Sequence, residues 1–152
     1  MKKLIVLAIP GIGTQKVGFS SHLRDDIAKH SKGTDLARDL RIIELRPFSV
    51  TNVDENQRAL FDRLDASNKL GGMLSLRHFV LEAFGDGVTF ERDAILANSV
   101  YRNIHNYLRA QIKQANELLE QSPDSKLVIV AASMGAHILS TYIWDADNKR
   151  GV

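Results

Sequence analysis

Blocks of apolar residues alternate with helical patterns along the chain, and this alternation predicts strands and helices in turn. Leu4–Ile9 is an unbroken aliphatic run that ends at Pro10 and Gly11, as is typical of a strand buried on both faces. Residues 39–45, "DLRIIEL", predict a second strand, and residues 126–132 predict a third. The pattern therefore predicts a sheet with a strongly buried first strand.

Four further segments have the apolar spacing of amphipathic helices. The first follows the first strand and contains Phe19, Leu23 and Ile27, and the others are residues 53–84, 99–121 and 134–147. Gly71 and Gly72 interrupt the segment at 53–84.

Alternating strands and helices predict parallel pairing through right-handed crossovers. We therefore expect a three-layer α/β fold with a mostly parallel sheet in the order second, first, third strand, flanked by helices. No linker divides residues 1–152, so the chain is expected to form a single domain. The helical excess at 53–85 is more than one crossover needs, and it is interpreted as a lid-like insertion over one end of the sheet.

The composition argues against several classes of function but does not identify one. The chain of 152 residues has a net charge of +2 with scattered basic residues, which argues against nucleic acid as a partner. Without cysteine or an H-x-x-x-H spacing, no metal site and no cofactor is expected. "MKKLIVLAIPGIG" imitates a signal peptide, but its apolar run is short, so we expect a cytoplasmic protein with no membrane span.

Candidate chemistry begins at the corner "AASMG", where the third strand turns into the last helix. Ser133 has small residues two positions before and after it, Ala131 and Gly135, and a sharp strand-to-helix turn requires small residues there. Such a corner exposes a serine nucleophile and places the N–H of Met134 at a helix N-terminus. An ordinary helix-capping serine is an equally good interpretation of the corner taken alone.

The turn after the first strand favours the interpretation of Ser133 as a nucleophile over that of a helix cap. Acyl transfer needs a second N–H donor from a neighbouring loop, and "AIPGIGTQ" offers the N–H of Ile12 between Gly11 and Gly13. "VLAIPGIGTQKVGF", "LRHFVLEAFGD", "VYRNIHNYL" and "VIVAASMGAHILSTYIWD" together resemble bacterial and phage α/β-hydrolases of the lipase and esterase type. The resemblance implies a serine hydrolase of carboxylic esters, with Ser133 as nucleophile and Met134 and Ile12 as oxyanion donors.

The sequence departs from that family's pattern in three places. Pro10 stands where a histidine usually precedes the first glycine, and Ala132 stands where a histidine usually precedes the serine. The family order is nucleophile, acid, histidine, but the single histidine after Ser133 is His137, only one helical turn away. The base must therefore be sought among histidines that precede the nucleophile: His78 and His105 first, then His22 and His30.

Several alternatives stay open at this point. Asp86 is a candidate site-facing acid, with a helix-ending turn as the alternative. The sheet is expected to be incomplete, like the amino-terminal portion of a hydrolase, and a partner chain or a second copy could complete it. The protein could instead be a non-catalytic scaffold. A phosphate- or nucleotide-binding module is less favoured, because "GIGTQKVG" fits neither nucleotide-loop template. The carboxylate pairs Asp25–Asp26 and Asp145–Asp147 are expected to face solvent.

Overall fold

The computed structural model describes residues 4–12, 16–32, 39–51, 59, 62–63, 90, 99–122 and 124–148. The predicted order of strands and helices is confirmed in these ranges. The lid-like insertion at 53–85, His78 and Asp86 lie outside the described residues, apart from the isolated positions 59 and 62–63. The elements are β1 (Leu4–Ile9), α1 (Ser21–His30), β2 (Leu40–Glu44), a 3₁₀ turn (Pro47–Val50), α2 (Val100–Glu120), β3 (Lys126–Ala131) and α3 (Met134–Asp147).

The three strands form one parallel sheet in the order β2-β1-β3, as predicted. In register, Val6 of β1 pairs with Ile42 of β2 on one side and with Val128 of β3 on the other. Because β1 is central and five of its six residues are buried, it reads as a continuous aliphatic run. The α/β fold class is therefore confirmed.

Helices lie on both faces of the sheet, which gives three layers. The odd-numbered strand residues, such as Leu7 and Ile129, pack in the core with residues of α2 and α3. The even-numbered residues Ile42 and Glu44 of β2 face the start of α1. The connection from β1 to β2 runs in one direction across the sheet, and the connection from β2 to β3 runs in the opposite direction, past β1. Since both crossovers prefer the right hand, opposite directions place α1 and α2 on opposite faces.

The outer strand β3 is less well covered than β1. Its residues alternate between exposed and half-buried, and Val128 and Val130 are 43% and 40% exposed. In the described ranges, no helix combines the length and the apolar character that crossing a membrane requires.

A carboxylate at the end of β2 holds the start of α1. Glu44 accepts hydrogen bonds from the N–H of Gly18 at 2.7 Å, the N–H of Ser20 at 2.8 Å and the hydroxyl of Ser20 at 2.7 Å. These N–H groups lie at the helix N-terminus, where a negative charge is favourable. Burial alone raises the pKa of Glu44, but these hydrogen bonds and the nearby charge of Arg46 outweigh it and hold the pKa below the ordinary 4.5.

This arrangement predicts a pH-dependent contribution to stability. A carboxyl group whose pKa is lower in the folded state stabilises the fold above its unfolded pKa, and the stabilisation disappears as pH falls through the folded pKa. We expect Glu44→Gln to lower the free energy of unfolding by about 1 kcal/mol at neutral pH, the usual cost of a lost helix cap. In urea titrations across pH, that deficit should shrink towards zero in acid. The matched control Glu117→Gln, on the exposed side of α2, should show little deficit at any pH.

Candidate functional site

The candidate site lies where two loops leave neighbouring strands at the carboxyl edge of the sheet. The loop after β1 leads to α1 on one face, and the loop after β3 leads to α3 on the other. The strand order reverses here, and in open α/β sheets ligands bind in the crevice at such a switch point. The N–H of Ala132 donates to the carbonyl of Ile9 at 3.1 Å, so β1 and β3 stay paired up to the corner at Ser133.

Ser133 occupies that corner in a strained conformation. Its φ of 47° and ψ of −119° make it the only described non-glycine residue with a positive φ. A helix-capping serine has extended backbone angles and accepts a hydrogen bond from the first turn. Ser133 does neither, because its side chain makes no capping hydrogen bond. Its side chain is exposed instead, so the interpretation as an ordinary cap does not fit the geometry.

Two glycines make this corner possible. A Cβ on Gly135 would collide with the carbonyl oxygen of Pro10 and would lie 2.8 Å from Cγ2 and 3.0 Å from the carbonyl oxygen of Ile9. Only glycine therefore lets α3 begin this close to β1. A Cβ on Gly11 would lie 3.2 Å from Cβ and 3.7 Å from Oγ of Ser133. The turn after β1 thus runs directly against the serine.

Each of the two predicted oxyanion donors directly follows one residue of this contact in the chain. Met134 is the first residue of α3, and Ile12 follows Gly11 in the turn after β1. Within the part of the chain that the structure describes, neither the N–H of Met134 nor that of Ile12 donates a hydrogen bond. Both amides are therefore available to a ligand, and the positive end of the α3 dipole adds to the attraction for an anion there.

None of the four described histidines has a described contact with the Ser133 side chain. His137 turns its ring edge-on to Phe90, with ring centroids 5.8 Å apart. His30 lies at the end of α1, where its Nδ1 is 2.8 Å from the carbonyl oxygen of Asp26, and His22 is exposed in the first turn of that helix.

His105, a leading candidate for the base, lies elsewhere. Its ring is fully buried, with Nε2 3.3 Å from the hydroxyl of Thr141. Thr141 is eight residues beyond Ser133, or about 12 Å along the helix. His105, which lies on α2 and contacts α3 at Thr141, is therefore too far from Ser133 to take its proton.

A buried polar cluster that sequence reasoning missed joins α2 to α3. The Tyr101 hydroxyl donates to Oδ2 of Asp145 at 2.5 Å, and His105 Nδ1 lies 3.9 Å from the same oxygen. The prediction that Asp145 faces solvent is wrong, because it is 1% exposed, whereas Asp25, Asp26 and Asp147 are exposed as predicted. One signal was available: Asp145 follows the buried Ile138 by seven residues and so shares its helix face.

Comparisons with known proteins add no assignment to this geometry: no family model, no curated protein and no solved structure matches the chain.

Proposed function

We propose that the protein is a serine hydrolase that acts on carboxylic esters, with Ser133 as its nucleophile. The observation that carries the proposal is the strained, exposed and uncapped Ser133 at the switch point of the sheet. Strain of this kind costs about 1–3 kcal/mol and clusters at functional sites, where the surrounding structure maintains it. Gly135, packed on the end of β1, is part of that surrounding structure.

The reaction follows from the groups at the corner. Ser133 Oγ attacks the ester carbonyl carbon, and the carbonyl oxygen takes up the electron pair as an oxyanion between the N–H groups of Met134 and Ile12. A base accepts the hydroxyl proton and returns it to the departing alcohol, which leaves an acyl group on Ser133. Water then attacks that acyl group by the same route and releases the acid.

The described residues account for only part of the proposed site. They supply a nucleophile and two oxyanion donors, whereas the base is to be sought in the part of the chain that the structure does not describe, with His78 the first candidate, or on a partner. Asp86 stays a candidate for the acid that orients it. The substrate is a small ester or acyl compound.

An activated ester tests the acylation step separately from turnover. A p-nitrophenyl ester has a leaving group that departs without taking up a proton, so acylation requires only the activated serine and the oxyanion donors, and we expect a rapid burst of about one equivalent of p-nitrophenol per chain. Ser133→Ala should remove the burst. Ser140→Ala, an exposed serine on the same helix, is the matched control and should keep it. A burst of equal size from the Ser133→Ala protein would refute the assignment. No burst from the folded wild type would favour the non-catalytic scaffold.

A further inference from the structure

Gly11, in the turn after β1, lacks the usual structural reasons for a glycine. Its φ is not positive, whereas Gly18 has a φ of 85°, which other residues rarely adopt. A Cβ at position 11 would lie 3.6 Å from the carbonyl oxygen of Ala132, an ordinary contact distance, whereas a Cβ on Gly135 would collide with backbone. Neither the backbone conformation nor a contact with the sheet therefore accounts for a glycine at position 11.

The absent side chain of Gly11 faces the proposed nucleophile instead. A Cβ there would lie 3.2 Å from Cβ and 3.7 Å from Oγ of Ser133, which are the closest contacts that it would make with a side chain. Carbon atoms in favourable contact are about 3.5–4.0 Å apart, so a methyl group at this position would press on the serine. The room that Gly11 leaves open thus adjoins the Ser133 hydroxyl.

The same room borders one of the proposed oxyanion donors. The nitrogen of Ile12 belongs to the peptide group that directly follows the Cα of Gly11, so a side chain on Gly11 would stand beside that N–H. In acylation the ester carbonyl carbon must come within about 3–3.5 Å of the serine Oγ. Its oxygen must at the same time turn towards the oxyanion donors. A side chain at position 11 would therefore compete for space with the substituents of that carbonyl.

We infer that Gly11 is a specificity-determining residue, and that the room it leaves admits acyl groups branched at the carbon next to the carbonyl. The departing alcohol must reach solvent, so the acyl group is the substituent that stays beside the half-buried turn. The substrate class is then esters of carboxylic acids with a branched carbon beside the carbonyl. This inference rests on the proposed function, because it requires acylation of Ser133.

Two esters with the same leaving group test this role. p-Nitrophenyl isobutyrate is branched at the carbon next to the carbonyl, and p-nitrophenyl acetate is not. The ratio of their burst rates, acetate over isobutyrate, should rise at least about tenfold in Gly11→Ala, the effect of about one methyl group in a close pocket. A Gly11→Ala protein in which Ser133 is merely displaced would acylate more slowly with both esters alike and keep the wild-type ratio. Circular dichroism checks that the variant is folded.

The matched control makes the same chemical change later in the same connection. A Cβ on Gly18 would meet nothing within 4 Å, so Gly18→Ala should keep the wild-type ratio. An unchanged ratio in folded Gly11→Ala would overturn the role of Gly11 and leave Ser133 as the nucleophile. No burst from the wild type with either ester would instead refute the proposed function itself.

A measurement on the wild type alone provides a second test that needs no variant. Hydroxide in free solution also reacts more slowly with the branched ester, and it has no pocket. If Gly11 leaves room for branching, the wild-type ratio of acetate to isobutyrate burst rates should be no larger than the ratio for hydroxide. A wild type that discriminates against isobutyrate at least about tenfold more than hydroxide does would contradict the inference.

Discussion

Replacing Gly135 with alanine is expected to lower the free energy of unfolding by about 2 kcal/mol and to slow acylation of Ser133 at least tenfold. The new Cβ would meet backbone and Cγ2 atoms of Pro10 and Ile9, so no side-chain rotation at position 135 can relieve the collision. Overpacking of this kind costs about 1–3 kcal/mol. The higher helix propensity of alanine returns less than about 1 kcal/mol, since Gly135 lies in the first turn of α3.

The loss of reactivity has a separate cause. Relief of the collision moves the start of α3 away from β1, and this motion carries Ser133 and the Met134 N–H out of their positions beside Gly11. A displacement of about 1 Å can cost a hundredfold in rate. Urea titration measures the stability, and the p-nitrophenol burst measures acylation of the folded fraction. Ser140→Ala, on the exposed side of the same helix, should change neither by much. A Gly135→Ala protein with wild-type burst kinetics would show that the close approach does not position the serine.

Local patterns in the sequence were sufficient to predict most of the described fold. The aliphatic run of β1 and the apolar spacing of α2 are local signals, and the limited number of allowed crossovers then leads to the strand order. The corner at Ser133 was predictable for the same reason, since the small residues at positions 131 and 135 are a steric requirement of the turn and are visible in the sequence.

Contacts between residues distant in sequence were not predictable in this way. Glu44 caps α1 across 24–26 residues, and Tyr101 binds Asp145 across 44, so no local spacing indicates either pair. Asp145 was expected to face solvent because carboxylates are usually exposed. Its burial is possible because the Tyr101 hydroxyl on α2 donates a hydrogen bond to it. His105 was a reasonable candidate base by residue type, and only its place beside Thr141 excludes it.

The geometry of Ser133 separates the two interpretations that the sequence left balanced. A capping serine and a nucleophile can share the same neighbours in sequence, but they differ in φ and in where the side chain points. The positive φ and the missing cap bond favour the nucleophile, and the exposed hydroxyl meets its need for access to substrate.

Intact-mass analysis after treatment with a fluorophosphonate tests the central claim most directly. The reagent phosphonylates activated serines, and fluoride leaves as the Ser133 Oγ–phosphorus bond forms. We expect a single adduct per chain, mapped by peptide analysis to Ser133, present in Ser140→Ala and absent from Ser133→Ala. An adduct of equal yield on folded Ser133→Ala protein, or none on the folded wild type, would contradict the account and leave Ser133 a strained corner without chemistry.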